Sequence, residues 1–219
     1  MSASYLHALS PSGGLIPLIC DADGRLYVEG QIALDALPAG TNTIGATYSN
    51  SVVKSATIQR PADTTAYAAL DVIAPGVVNE SNPGYFIFSG MARANGGTGT
   101  IVRARLMTDN AAWAAAMQLH LYTAAPTAIA DNAQYTLLYA DVAKRIGSIK
   151  FPALSTEGTG STAAVAMRPS PDGAYSPPWL KYKCASADTA LYGILTTLDG
   201  VTPASAQNFY IELGADGLS

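Results

Sequence analysis

Side chains of opposite character alternate along most of this chain with a period of two, the spacing at which successive residues of a β-strand face opposite ways. In residues 101–108 the pattern sets Val102, Ala104 and Leu106 against Arg103 and Arg105. Met117, Leu119 and Leu121 alternate with Gln118, His120 and Tyr122, and Leu180, Tyr182 and Cys184 with Lys181 and Lys183. Near the end Phe209, Ile211 and Leu213 alternate with Tyr210 and Glu212. Each run is expected to be a strand with one wet face. Residues 85–88 and 191–198 are apolar or neutral on both faces, which predicts central strands covered on both sides.

Turn formers punctuate these runs at 79–84, 94–99, 156–161, 169–178 and 199–204. Helix has little room. The Ala-rich stretch 110–116 could form a turn or two, and Asp141 could cap a single turn through Arg145 that stops at Gly147. Short strands at a spacing of roughly ten residues predict an all-β antiparallel sandwich, and about eight strands after residue 55 suit a jelly roll.

The first fifty residues read differently. Short apolar pieces at 15–20, 25–28 and 31–34 are split by Gly13-Gly14, Asp23-Gly24 and Gly30, and Leu37-Pro38-Ala39-Gly40 ends the series. Too little apolar surface is available there for an independent core. The division expected is an extended N-terminal arm with small hairpins over 1–52 and a sandwich over 53–219. The alternative is that the leading pieces add edge strands to the sandwich.

Composition limits the function. The 49% hydrophobic content is too high for a disordered chain. Only 13% of residues are charged, against about 25% in ordinary domains. A net charge of −4 gives no cationic surplus for phosphates, so nucleic acid is not an expected direct partner. No run approaches the ~20 apolar residues of a helical membrane span, and no membrane partner is expected. The first residues lack the cationic-then-apolar order of a secretory signal, so a reducing setting is expected. Cys20 and Cys184 then read as free thiols, with a bridge between them as the alternative.

Chemistry is sparse. His7 and His120 stand in no metal or triad spacing, and His120 is expected to face solvent from its strand. Two distant cysteines and two scattered histidines do not make a zinc site, so no metal is expected. Asp21-Ala22-Asp23-Gly24 has the opening of a calcium loop, but Arg25-Leu26-Tyr27-Val28 follows without the later acidic ligands. Residues 158–163 fit a G-x-G-x-x-A pattern, yet Pro169 leaves no helix to receive a pyrophosphate. Residues 94–100 lack the Lys-Ser/Thr of a phosphate-binding loop. No cofactor and no catalytic residue are expected. A pair of carboxylates across a cleft, as a glycosidase needs, is neither suggested nor excluded by the sequence. Tyr67, Tyr85, Tyr122, Tyr135, Tyr139, Tyr182, Tyr192, Tyr210, Trp113 and Trp179 could line a saccharide platform, although cross-strand packing is the more usual use of such residues.

Two stretches carry a family resemblance. Residues 37–45, Leu-Pro-Ala-Gly-Thr-Asn-Thr-Ile-Gly, preceded by Asp23-Gly24-Arg25-Leu26-Tyr27-Val28, resemble a segment near the start of tailed-bacteriophage virion proteins. Arg60-Pro61-Ala62-Asp63-Thr64-Thr65-Ala66-Tyr67, followed by Asp71-Val72-Ile73, resembles the opening of a phage structural domain. Asp131-Asn132-Ala133, residues 146–149, residues 191–195 and Thr202-Pro203-Ala204-Ser205 extend the likeness over most of 15–214.

The resemblance implies a non-enzymatic virion component, a jelly-roll protein that decorates and cements the capsid across its subunits. It further implies a homotrimer whose partner is the major capsid protein lattice, made in the bacterial host cytoplasm and carried on the capsid surface. The family brings no catalytic residues. Leu15, Ile16, Leu18, Ile19, Leu26, Val28, Leu37 and Ile44 are the arm residues expected to dock on the shell or on a neighbouring copy. A tail-associated fibre or receptor-binding module is the alternative, and a carbohydrate-active enzyme on the same scaffold a third.

Overall fold

A computed structural model describes residues 51–76, 83–169 and 178–218, with the backbone of four short strands before them. The chain divides into two compact units, Met1–Thr47 and Tyr48–Ser219. In the first, β1 (His7–Leu9) pairs antiparallel with β2 (Leu15–Pro17), and β3 (Ile19–Cys20) with β4 (Leu26–Tyr27).

The second unit is an all-β sandwich of two antiparallel sheets. Its strands are β5 (Ser51–Gln59), β6 (Val72–Ile73), β7 (Phe86–Phe88), β8 (Thr98–Thr108), β9 (Met117–Tyr122), β10 (Arg145–Phe151), β11 (Ser155–Thr156), β12 (Ala164–Arg168), β13 (Leu180–Lys183), β14 (Leu191–Thr197) and β15 (Asn208–Asp216). One sheet runs β11-β12-β8-β15-β5, with β13 continuing along the same edge of β8 after β12. The other runs β10-β9-β14-β6, with β7 also on β14. The chain passes between the sheets at six of the ten connections from β5 to β15. With β6 and β7 sharing one position, these strand orders are those of a jelly roll, with β5 beside β15 and β9 beside β14.

Alternation builds the core as expected in β13 and β15. Phe209, Ile211 and Leu213 point inward and meet Phe86, Phe88, Leu119, Leu121, Leu195 and Phe151 from the opposite sheet. Trp113 closes one end of the sandwich, edge-on to Phe209 at 5.0 Å and to Tyr67 at 6.3 Å. Removing such apolar faces from water drives the two layers together. Strand β14 is buried along nearly its whole length and is central, as predicted.

Other expectations need correction. Strand β8 does not keep one phase: its pairing with β15 steps from Gly214↔Arg103 to Ala215↔Ile101. Val102 is therefore the extra residue of a β-bulge, Ile101 takes the inward place, and Val102 is only half-buried. Residues 86–88 lie at a sheet edge, with Ile87 39% exposed, because β14 alone pairs with them. The 110–116 stretch forms a turn and no helix. Asp141 lies inside a single short helix among the described residues, α1 (Tyr139–Val142), rather than at its cap, and Arg145 already belongs to β10. His120 and Tyr122 do not face solvent; both are buried.

Candidate interaction surface

The two sheets differ in what covers their outer faces. Beyond the sheet of β9 and β14, the connection 123–138 folds back over the strands. Val72, Ala74, Tyr122 and Ile194 form a second small core there, against Ile129, Tyr135 and Leu137. This cover explains His120. Its ring stacks on Tyr135 at 3.9 Å, Arg145 Nη2 lies 3.3 Å from Nδ1, and Nε2 is 3.2 Å from Thr196 Oγ1. An arginine can only donate, so Nδ1 is the acceptor and Nε2–H donates to Thr196. Burial, with Arg145 alongside, lowers the imidazole pKa to about 4. The side chain is a neutral packing element.

Among the described residues, no segment covers the outer face of the six-stranded sheet. Cross-strand register sets its rows. Thr57, Tyr210, Met107, Val165 and Ser155 form one row across β5, β15, β8, β12 and β11. Ser55, Glu212, Arg105 and Met167 form the next, followed by Val53, Gly214 and Arg103. Beyond the bulge stand Asp216, Thr100 and Lys181, then Thr98 and Lys183. Tyr210, Met107, Val165 and Met167 are half-buried, and Lys181 and Lys183 are exposed. Arg103 and Arg105 each place Nη2 on one oxygen of Glu212, at 2.9 and 3.0 Å. A shallow concavity of about 220 Å³ opens between Met107, Asp109, Ala163, Asn208 and Tyr210, and its wall is almost wholly apolar.

A cleft of about 330 Å³ between Pro61, Asp63, Thr65, Pro75, Gly76 and Asp131 contains two carboxylates, Asp63 and Asp131. Both are engaged by a buried arginine. Arg60 Nη2 is 2.7 Å from Asp63 and 3.5 Å from Asp131, Nε donates to Tyr67, and Nη1 donates to the Asp63 carbonyl. Asp131 Oδ1 also accepts from Tyr67 Oη at 2.7 Å and from the Ala74 amide at 2.9 Å. Burial pushes the Asp131 carboxyl above its ordinary value, against these hydrogen bonds. The arrangement ties the 60–71 connection to Asp131 of the 123–138 connection, and sequence reasoning missed it. The usable signal was Asp63 and Tyr67 standing three and seven residues after an arginine at the end of a strand.

The expected site residues are partly beyond view. Leu15, Ile16, Ile19 and Leu26 fall in β2, β3 and β4 of the first unit. Leu18, Val28, Leu37 and Ile44 lie outside the described residues, as does the Asp21–Gly24 stretch. Cys184 is a buried free thiol, raised by burial to about 11. Of the aromatic residues, Tyr67, Trp113, Tyr122 and Tyr182 are core, whereas Tyr139 is 93% and Trp179 67% exposed. Residues 158–163 form a loop leading into β12, and residues 94–97 a turn leading into β8. Among the described residues, no three His, Cys, Asp or Glu side chains are grouped to hold a metal, and no helix is long and apolar enough to cross a membrane. No family model matches the sequence, and no curated protein shows significant similarity to it.

Proposed function

We propose that this chain is a non-enzymatic virion structural protein that decorates and stabilises a bacteriophage capsid, with the major capsid protein lattice as its partner and a homotrimer as its working form. The observation that carries the reading is the unequal dressing of the two sheets. The 123–138 connection covers the middle of one outer face, where Ile87 and Lys150 stay exposed beyond it, and among the described residues no segment crosses the other, whose Tyr210, Met107, Val165 and Met167 are half-buried. Four full strands, at about 4.8 Å spacing and about 30 Å long, offer roughly 600 Å² before side-chain relief is counted. That approaches the ~800 Å² per partner of a standard protein interface. The phage-like phrases of the sequence point the same way.

The physics of such a role needs no catalysis. A protein that binds the assembled lattice and not its separated subunits stabilises the shell by mass action. The expected arm residues, Leu15, Ile16, Leu18, Ile19, Leu26, Val28, Leu37 and Ile44, would add burial on the shell or on a neighbouring copy. The test is copy number and shell stability. Purified particles should contain hundreds of copies, and shells stripped of the protein should break at lower temperature until it is added back. A few dozen copies or fewer would favour the tail-associated receptor-binding module instead, a reading supported by the exposed Tyr139 and Trp179. Such projecting aromatics are common anchors of recognition surfaces.

A further inference from the structure

We infer that the bare face of the six-stranded sheet is the docking face, and that the protein surface it meets is acidic. The inference rests on the function proposed above and deepens it by naming the face and the chemistry of its partner.

Four of the chain's twelve Lys and Arg residues, Arg103, Arg105, Lys181 and Lys183, point from this one face, against three anions, Glu212, Asp216 and, at the concavity, Asp109, which Asn208 engages. The chain as a whole carries −4. The face is thus a cationic field on an acidic molecule, and cations are concentrated where the sheet is least covered. By contrast, the connections 60–71, 152–163 and 198–207 hold exposed Asp63, Glu157 and Asp199, and their one cation, Arg60, is buried.

The arginines are short of acceptors within their own fold. Two guanidinium groups share the single Glu212 carboxylate, and their side chains stay 43% and 34% exposed. A guanidinium has five N–H donors and can accept nothing, so a further carboxylate is the group that completes it. The Arg105 guanidinium also lies over the Tyr210 ring at 5.9 Å, which ties the charged rows to the apolar row beside them. The complement of this face is an apolar strip flanked by Asp or Glu. A nucleic-acid backbone fits it poorly, because the apolar row of Tyr210, Met107 and Val165 offers nothing to phosphate. Opposed fields of this kind set orientation and association rate as well as affinity.

The test is binding of the full chain to shells stripped of it, for wild type, K181Q/K183Q and K181E/K183E. Both lysines are exposed, so folding should survive, and matching melting curves would verify that. Wild-type binding should weaken as salt is raised. K181E/K183E should bind at least about tenfold more weakly at low salt, K181Q/K183Q should fall between, and the salt dependence should flatten in step. Wild-type binding that is unchanged in both variants would overturn the docking face and leave the decoration role standing. Failure of the wild type to bind any shell would overturn both. Preferential binding of the wild type to duplex DNA or to anionic lipid vesicles, lost in K181E/K183E, would overturn the acidic protein partner.

Discussion

Arg60 carries its charge inside the fold, with a side chain that is 0% exposed and held between Asp63, Asp131 and Tyr67. Burial opposes its charged form, but the hydrogen bonds to Asp63 and Tyr67 outweigh that cost and its pKa rises. Truncation would leave Asp131 buried without its cation. Arg60→Met is therefore expected to lower unfolding free energy by about 3–5 kcal/mol, read from the midpoint of urea denaturation. His120 makes a different prediction. Its folded pKa of about 4 lies below the ordinary 6.5, so the unfolded chain takes up the proton first as pH falls. The stability it contributes is fully present above about pH 6.5 and is lost between there and pH 4, by about 3 kcal/mol. His120→Phe, which keeps a ring on Tyr135, should flatten denaturation midpoints across that window. The hydrogen bond from Tyr192 to Asp188 holds that carboxyl below its ordinary value, so its share disappears only at lower pH.

Single positions also decide whether whole strands pack. Gly193 sits in β14 where an added Cβ would lie 2.8 Å from Leu119 Cδ1 and 3.2 Å from Phe88 Cε2. Both side chains are fully buried, so neither has free space to enter. Gly193→Ala should cost about 1–3 kcal/mol through overpacking. A differential scan should show a melting temperature lower by about 2–4 °C for each kcal/mol. Strand β15 was legible in the sequence because one side of it meets the core and the other meets water or the Arg103 and Arg105 rows. Strand β9 was not, since His120 and Tyr122 look like a polar face until the 123–138 connection, β14 and β10 supply Tyr135, Thr196 and Arg145 as partners. The alternation in β8 misled for another reason. A bulge resets the phase within an unbroken run, and Val102 carries no chemical mark of being the extra residue. The bare sheet face was equally hidden, because whether a half-polar strand face is covered depends on where other segments of the chain go.

At the scale of the molecule, the first strand of the sandwich pairs with the last, β5 with β15, across more than one hundred and forty intervening positions. Closing such a loop must precede the burial that rewards it, so folding is expected to be slow. Refolding from urea, followed by the fluorescence of buried Trp113, should take milliseconds to seconds or longer; completion within a few tens of microseconds would contradict this topology. The sandwich class was legible from period-two alternation and turn spacing alone. The partner was not, because the same architecture serves many unrelated roles.

The bulge at Val102 also bears on which genetic changes the protein can survive. An in-frame loss of that single codon would leave Ile101 facing inward and Arg103 outward in unbroken alternation, so β8 should still pack and lose only the extra twist of the bulge. Removing three codons from 158–160, where nothing lies within 4 Å of a Cβ added at Gly158 or Gly160, would shorten only a turn. Lineages should accordingly vary in length at the turn, and within β8 lose a single residue only at the bulge.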